Sequence, residues 1–266
     1  MRSMLARGIL ILALLLPVYF AGAALGARFG LLDWRLALGT LIVQWGPRLL
    51  IGVLVLAIGI LAATLVKAPR QGWRSALVAA LIPALGLGYL AWVRDQSADI
   101  PPIHDVSTRP DDPPAFSPAL LSERARSADT NPVVSLTAPI STLEKYRGPR
   151  FADMGDRTLG QIAAEAYPGV RPLTTPAAPD VAFAAALAEA RSQGWAIVSE
   201  DAATGAFSAT ATTFWFGFKD DVAVRIRQDG TGSVIDVRST SRVGLSDLGA
   251  NAARIESFLT GVEGRL

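Results

Sequence analysis

Three long apolar runs dominate the start of the chain: Gly8–Leu25, Pro47–Val66 and Ser75–Val93. Each has about 18–20 residues, enough to cross a hydrocarbon core of about 30 Å at about 1.5 Å per helical residue. In lipid such a segment satisfies its backbone groups as a helix. The sole charge in these runs is Arg48, at the edge of the second, so no proton or ion path through the membrane is implied. Arg2 and Arg7 ahead of the first run resemble a signal peptide start, but two more spans follow and a retained helix is expected. The shorter stretch Leu36–Trp45 cannot span alone and is expected at the interface, with Trp34 and Trp45 as anchors. Gly22 with Gly26, and Ala80 with Ala84 and Gly88, put small residues on shared helix faces, a spacing that lets backbones approach.

With three spans, Arg2 and Arg7 share a side with Lys67, Arg70 and Arg74, while Arg28, Arg35 and Arg48 occupy the first loop region. The short Lys67–Arg74 cluster places the N-terminus inside. A multi-pass protein of the inner (cell) membrane is expected, with its C-terminal domain outside the cytoplasm, in the periplasm of a Gram-negative cell.

The chain is 51% hydrophobic and 18% charged, and this apolar excess sits almost wholly before Arg94. Three regions follow: a three-helix membrane region at 1–94, a Pro/Asp-rich linker at 95–118 and a soluble α+β domain at 119–266. A net charge of +2 gives no field for nucleic acid, and none is expected as a partner. There is no cysteine and a single histidine, His104, so thiolate chemistry and zinc–thiolate sites are excluded. No metal and no cofactor is expected.

The linker holds Pro101-Pro102, Asp111-Asp112 and Pro113-Pro114, which favour an extended tether. Ile103 and His104 are expected to dock it on the domain. Residues 120–171 show a weak helical pattern, with Leu121, Ala125 and Ala128 on one face. A helix is expected from Asp180 to Gln193, stopped by Gly194. The period then changes to two. Strands are expected at 195–199, 206–218, 222–227 and 233–243, with a hairpin turn at Asp229-Gly230-Thr231-Gly232. A last helix follows Ser246. The expected fold is α+β: three transmembrane helices, then an antiparallel four-stranded sheet in meander order, packed with helices on one face.

Alternation puts Arg225, Arg227, Asp236, Arg238 and Arg242 on one sheet face, expected to be solvated. A turn centred on Gly230-Thr231 sets Arg225 opposite Asp236 as a cross-strand ion pair. Asp247 and Asn251 begin a stripe on the last helix and are expected to bond Arg238 or Arg242. Phe214, Phe216 and Phe218 are expected in the core, with Trp215 opposite and Lys219-Asp220-Asp221 in a turn. Four arginines on one face suit a phosphate or carboxylate.

The block FWFGFKDD, then DVRSTSRVGLSDLGANAARI, with PPIHDVSTRPDDPP upstream, resembles the family catalogued as domain of unknown function 1499. The resemblance covers about the last 170 residues of the sequence. It implies membrane helices ahead of the domain and no assigned activity or cofactor. It points to Asp220, Asp221, Arg238, Ser239, Ser241, Arg242, Asp247 and Asn251 as ligand-binding candidates. Many members carry Asp where this chain has Arg109, so no metal role for the linker is implied.

The expected function is that of a non-enzymatic, membrane-anchored envelope protein. Its partners would be the lipid bilayer and an anionic lipid or an envelope protein at the membrane surface. The alternative is a hydrolase or transferase on an envelope substrate. It would use Asp220, Asp221 and Asp247 as acid/base groups, Ser239 or Ser241 as nucleophile, and Arg238 and Arg242 as anion stabilisers.

Overall fold

The computed structural model describes residues 2–66, 68–98, 100–126 and 129–266. Lys67 of the basic cluster and Ala128 of the weak helical face lie outside them. The chain forms two compact units, Met1–Asp99 with Thr213–Gly217, and Ile100–Thr212 with Phe218–Leu266.

The first unit contains α1 (Arg2–Arg28), α2 (Gly46–Val66) and α3 (Trp73–Gln96). A π-helical segment, Arg35–Trp45, runs straight into α2, so Leu36–Trp45 is the first part of a 32-residue helix and not a separate surface segment. Three helices are thus long and apolar enough to cross a membrane, with window hydropathies of 2.3, 2.9 and 2.0. Ile9, Ala13, Leu16, Leu50, Val53, Ala57, Ala79 and Ala80 form the seam between them. The stripe Ala80, Ala84, Gly88 does not make the contact: Ala84 and Gly88 are exposed. Close approach occurs instead at Gly86, where an added Cβ would lie 2.9 Å from Leu50, and at Gly46, 2.7 Å from Phe20.

The second unit is α+β. Its sheet has six strands, not the four expected: β1 (Asp105–Ser107), β2 (Leu173–Thr175), β3 (Ala196–Asp201), β4 (Ala206–Thr212), β5 (Lys219–Asp229) and β6 (Gly232–Ser241). All pairings are antiparallel, in the order β1-β6-β5-β4-β3, with β2 also on β6. The meander β3–β6 has the expected order. The two extra strands have three residues each, too few for a period-two signal. β1 comes from the segment that reads as tether, and Ile103 and His104 beside it are buried.

The helices are α4 (Pro118–Ala125), α5 (Leu159–Ala166), α6 (Pro179–Ser192) and α7 (Ala250–Glu263). On one sheet face Phe207, Val222, Val224, Ile226, Ile235 and Val237 meet Ala182, Phe183, Ile255 and Phe258. Trp195 stacks on Phe258 at 4.8 Å between ring centroids. The opposite face is covered as well, by Phe116 and Leu120 against Ala223.

Between β4 and β5 the chain turns at 213–217, where Gly217 takes φ 67°. Phe214 and Trp215 are 68% and 54% exposed, so the aromatic block is not a strand with a core face. Lys219-Asp220-Asp221, read as a turn, opens β5.

Candidate functional site

The parity of β5 and β6 divides Asp220, Asp221, Arg238, Ser239, Ser241 and Arg242 between the two faces of the sheet, while Asn251 comes from α7 and Asp247 from the loop before it. The hairpin at Gly230-Thr231 pairs Asp229 with Gly232 and fixes the register. Arg225 lies opposite Asp236 and binds it at 2.9 Å, as the turn position requires.

Asp221, Arg238 and Arg242 lie on the face under α4. This face is not solvated as expected, because Phe116 and α4 cover it and its charges pair internally. Asp221 is fully buried and takes Arg242 through Nε at 2.8 Å and Nη2 at 2.7 Å. Arg124 of α4 adds a second guanidinium at 2.5 Å, and Thr210 donates its hydroxyl at 2.8 Å. Burial alone would lower the Arg242 pKa, but the Asp221 hydrogen bond and charge, with Glu123, reverse this and raise it. Arg238 grips the buried Asp105 of β1 with Nε at 2.9 Å and Nη2 at 2.7 Å, and lies over the Phe116 ring.

Asp220, Ser239 and Ser241 lie on the other face, where Asn251 of α7 meets them. Ser239 donates to Asn251 Oδ1 at 2.6 Å, and Asn251 Nδ2 donates to Ser241 Oγ at 2.9 Å and to the His104 carbonyl at 3.0 Å. Arg254 donates to Asn251 Oδ1, Ser239 Oγ and Asp220. Asp247 precedes α7, and its two oxygens accept from the Gly249 and Asn251 amides at 2.9 and 2.8 Å. Burial raises the Asp247 pKa.

The expected bond from Arg238 or Arg242 to Asp247 or Asn251 is therefore not made. Those arginines alternate with Ser239 and Ser241, so when the serines face α7 the arginines must point away. The sheet locks to the last helix through Ser239, Ser241, Asp220 and Arg254. Sequence reasoning missed Asp105 and Arg124 as partners. Asp105 sits in a three-residue strand and Arg124 in a one-sided short helix, and neither pattern announces a charge pair.

Chemically, the eight candidates form two closed networks. The Asp220 and Asp221 carboxylates neutralise guanidinium groups, the Asp247 carboxylate accepts backbone amides, and the serine hydroxyls are held in hydrogen bonds. Arginines at a solvent cleft are found elsewhere. Arg109, Arg171 and Arg227 line an open cavity of about 530 Å³ with Pro172, Thr174 and Asp229. Arg109 and Arg227 are each anchored below by buried Asp236, at 3.0 and 2.7 Å, yet their side chains remain 40% and 41% exposed. The Arg171 guanidinium is exposed and has no hydrogen-bond or ion-pair partner among the described residues. Asp112 caps the outer side of Arg225 and Arg227, and the Arg225 hydrogen bond lowers its pKa. Among the described residues, no three His, Cys, Asp or Glu side chains group closely enough to hold a metal ion.

A six-stranded antiparallel sheet with a buried charge network on each face, carried on a chain with three apolar helices, defines an α+β domain protein with candidate membrane spans. Residues 105–262 match the family described as Protein of unknown function (DUF1499), and the chain belongs to that family. The match begins at the first residue of β1 and ends within α7. A search of curated proteins finds no match to this chain.

Proposed function

We propose that this chain is a non-enzymatic, multi-pass envelope protein of the inner membrane that binds an anionic lipid headgroup with its soluble unit. The cleft of Arg109, Arg171 and Arg227 carries this reading. Planar guanidinium groups suit bidentate contact with phosphate oxygens. With Arg225 counted beside Arg109, Arg171 and Arg227, and Asp112, Asp236 and Asp229 counted against them, four arginines over three aspartates leave an excess of one positive charge. Arg238 and Arg242, which the sequence favoured for this role, are taken up by Asp105 and Asp221. The distribution of lysine and arginine around the apolar helices supports an outside location for the C-terminal domain.

The test uses full-length protein in phosphatidylcholine nanodiscs, passed over immobilised vesicles of phosphatidylglycerol or phosphatidylcholine at several salt concentrations. Binding to the anionic vesicles alone, weakening as salt rises, is expected. Equal binding to both, or to neither, contradicts the reading. Binding to neither, together with specific crosslinking to another envelope protein in cells, would move the assignment to a protein partner.

A further inference from the structure

We infer that the ligand of this cleft is an amphiphile, with its anionic head on Arg109, Arg171 and Arg227 and a short apolar chain in the adjoining cavity. This rests on the anion-binding reading above and adds the chemical class of the ligand.

The adjoining cavity has a volume of about 270 Å³ and lies between the turn after β1 and the end of α5. Local sequence builds it. Thr158 caps α5 by accepting from the Gln161 amide at 3.1 Å, while the Gln161 side chain accepts from the Thr158 amide at 2.9 Å. Gly160 lets Pro110 press on the helix, since a Cβ there would stand 2.5 Å from the proline ring. α5 stops at Ala166, and Pro168 follows at a position where helix would lose an amide donor. The chain then turns through Val170 and Arg171 to reach β2.

Val106, Pro110, Ala163, Ala164, Pro168 and Val170 supply the apolar wall. Ser107 and Thr108 also line it, but both hydroxyls donate to the Val237 carbonyl, each at 3.3 Å, so their protons are engaged. Besides Arg171, the remaining polar side chain of the lining is the Tyr167 phenol. Its oxygen is buried and has no hydrogen-bond partner among the described residues. Burial, with the Asp247 charge, pushes its pKa up to about 12, so it remains a neutral O–H donor.

Arg171 lines both cavities. One unpartnered guanidinium thus stands where an apolar slot meets a cationic cleft, the division of chemistry that an alkyl phosphate or a lipid with a phosphate head presents. Small-ligand sites span about 300–1,000 Å³, and the two cavities fall at or near this range.

Full-length protein in phosphatidylcholine nanodiscs is titrated calorimetrically with inorganic phosphate, then with methyl, butyl and hexyl phosphate. Wild type is compared with Ala164→Trp and Arg171→Ala. Both positions are exposed, so neither change enters the core. Shared partitioning of the alkyl chain into the disc is common to all three proteins and cancels. In wild type, affinity should rise about three- to fourfold for each methylene buried. Ala164→Trp should bind inorganic phosphate as wild type does and lose the gain with chain length. Arg171→Ala should weaken every ligand about tenfold or more. Equal wild-type affinity across the series, or a gain that survives in Ala164→Trp, overturns the amphiphile and leaves the anion cleft standing. Failure to bind even inorganic phosphate overturns both.

Discussion

Arg242 meets Asp221 edge-on, with Nε 2.8 Å from Oδ2 and Nη2 2.7 Å from Oδ1, and the carboxylate is wholly buried. The pair joins the end of β6 to the start of β5, and Arg124 ties α4 to the same carboxylate. Removing Asp221 leaves Arg124 buried without its counter-charge and Arg242 with Glu123 alone, at 3.4 Å. Asp221→Ala is expected to lower stability by about 3–5 kcal/mol. Arg242→Ala should cost less, because Arg124 and Thr210 still hold the carboxylate. Thermal unfolding of the full chain, followed by tryptophan fluorescence in one detergent, checks the order. Equal melting temperatures for Asp221→Ala and wild type would contradict it.

Asn251 uses both ends of its amide to clamp α7 onto β6. Asn251→Ala leaves the buried Ser239 hydroxyl without its acceptor, a loss of about 1–3 kcal/mol, while the His104 carbonyl keeps the Ser241 amide and Arg254 keeps Asp220. Asn251→Asp keeps the acceptor for Ser239 but cannot donate to His104 or Ser241. Both variants should melt below wild type. If Asn251→Ala melts like wild type and yet abolishes function in cells, the α7 network is a ligand site and its structural role is secondary.

Asp247 gives a pH dependence of unusual sign for an aspartate. Burial raises its pKa above the ordinary value of about 3.9, so the folded chain holds this proton to higher pH than the unfolded chain. The stability it contributes is complete below about 3.9 and is lost as pH rises through the folded value. Asp247→Asn cannot titrate. The stability difference, wild type minus Asp247→Asn, should therefore fall as pH rises from about 3.9 and then level off. Unfolding curves across that window measure it, and a difference that rises with pH would reverse the assignment.

Much of this arrangement could be read in the residues, and the reason it stopped where it did is geometric. The Gly230-Thr231 turn and the alternation of β5 and β6 were enough to pair Arg225 with Asp236. They did not show which face α7 would cover, because that depends on the path of the chain from Val243 to Gly249. Arg238 finds its partner in Asp105, which is distant in sequence and sits in a strand of three residues. The Phe214–Phe218 alternation imitates a strand, but the positive φ of Gly217 turns the chain there. Arg109 and Arg171 come from two irregular segments that only the folded chain brings to one cleft.

Membrane orientation has its own test. Reporters active only in the periplasm or only in the cytoplasm are fused after Val93 and after Leu266. Periplasmic activity is expected at both points. Cytoplasmic activity at both would contradict the orientation proposed from the basic residues.

The central claim is that the open arginine cleft, and not the buried arginines of β6, meets an anion. Arg171 tests it most directly, since it is exposed and unpartnered and its replacement breaks no pair. Vesicle binding at low salt is measured for Arg171→Glu and Arg171→Lys in full-length protein in phosphatidylcholine nanodiscs. The account predicts that Arg171→Glu loses binding to phosphatidylglycerol vesicles while Arg171→Lys retains a weakened form of it. Wild-type binding by Arg171→Glu would contradict the account.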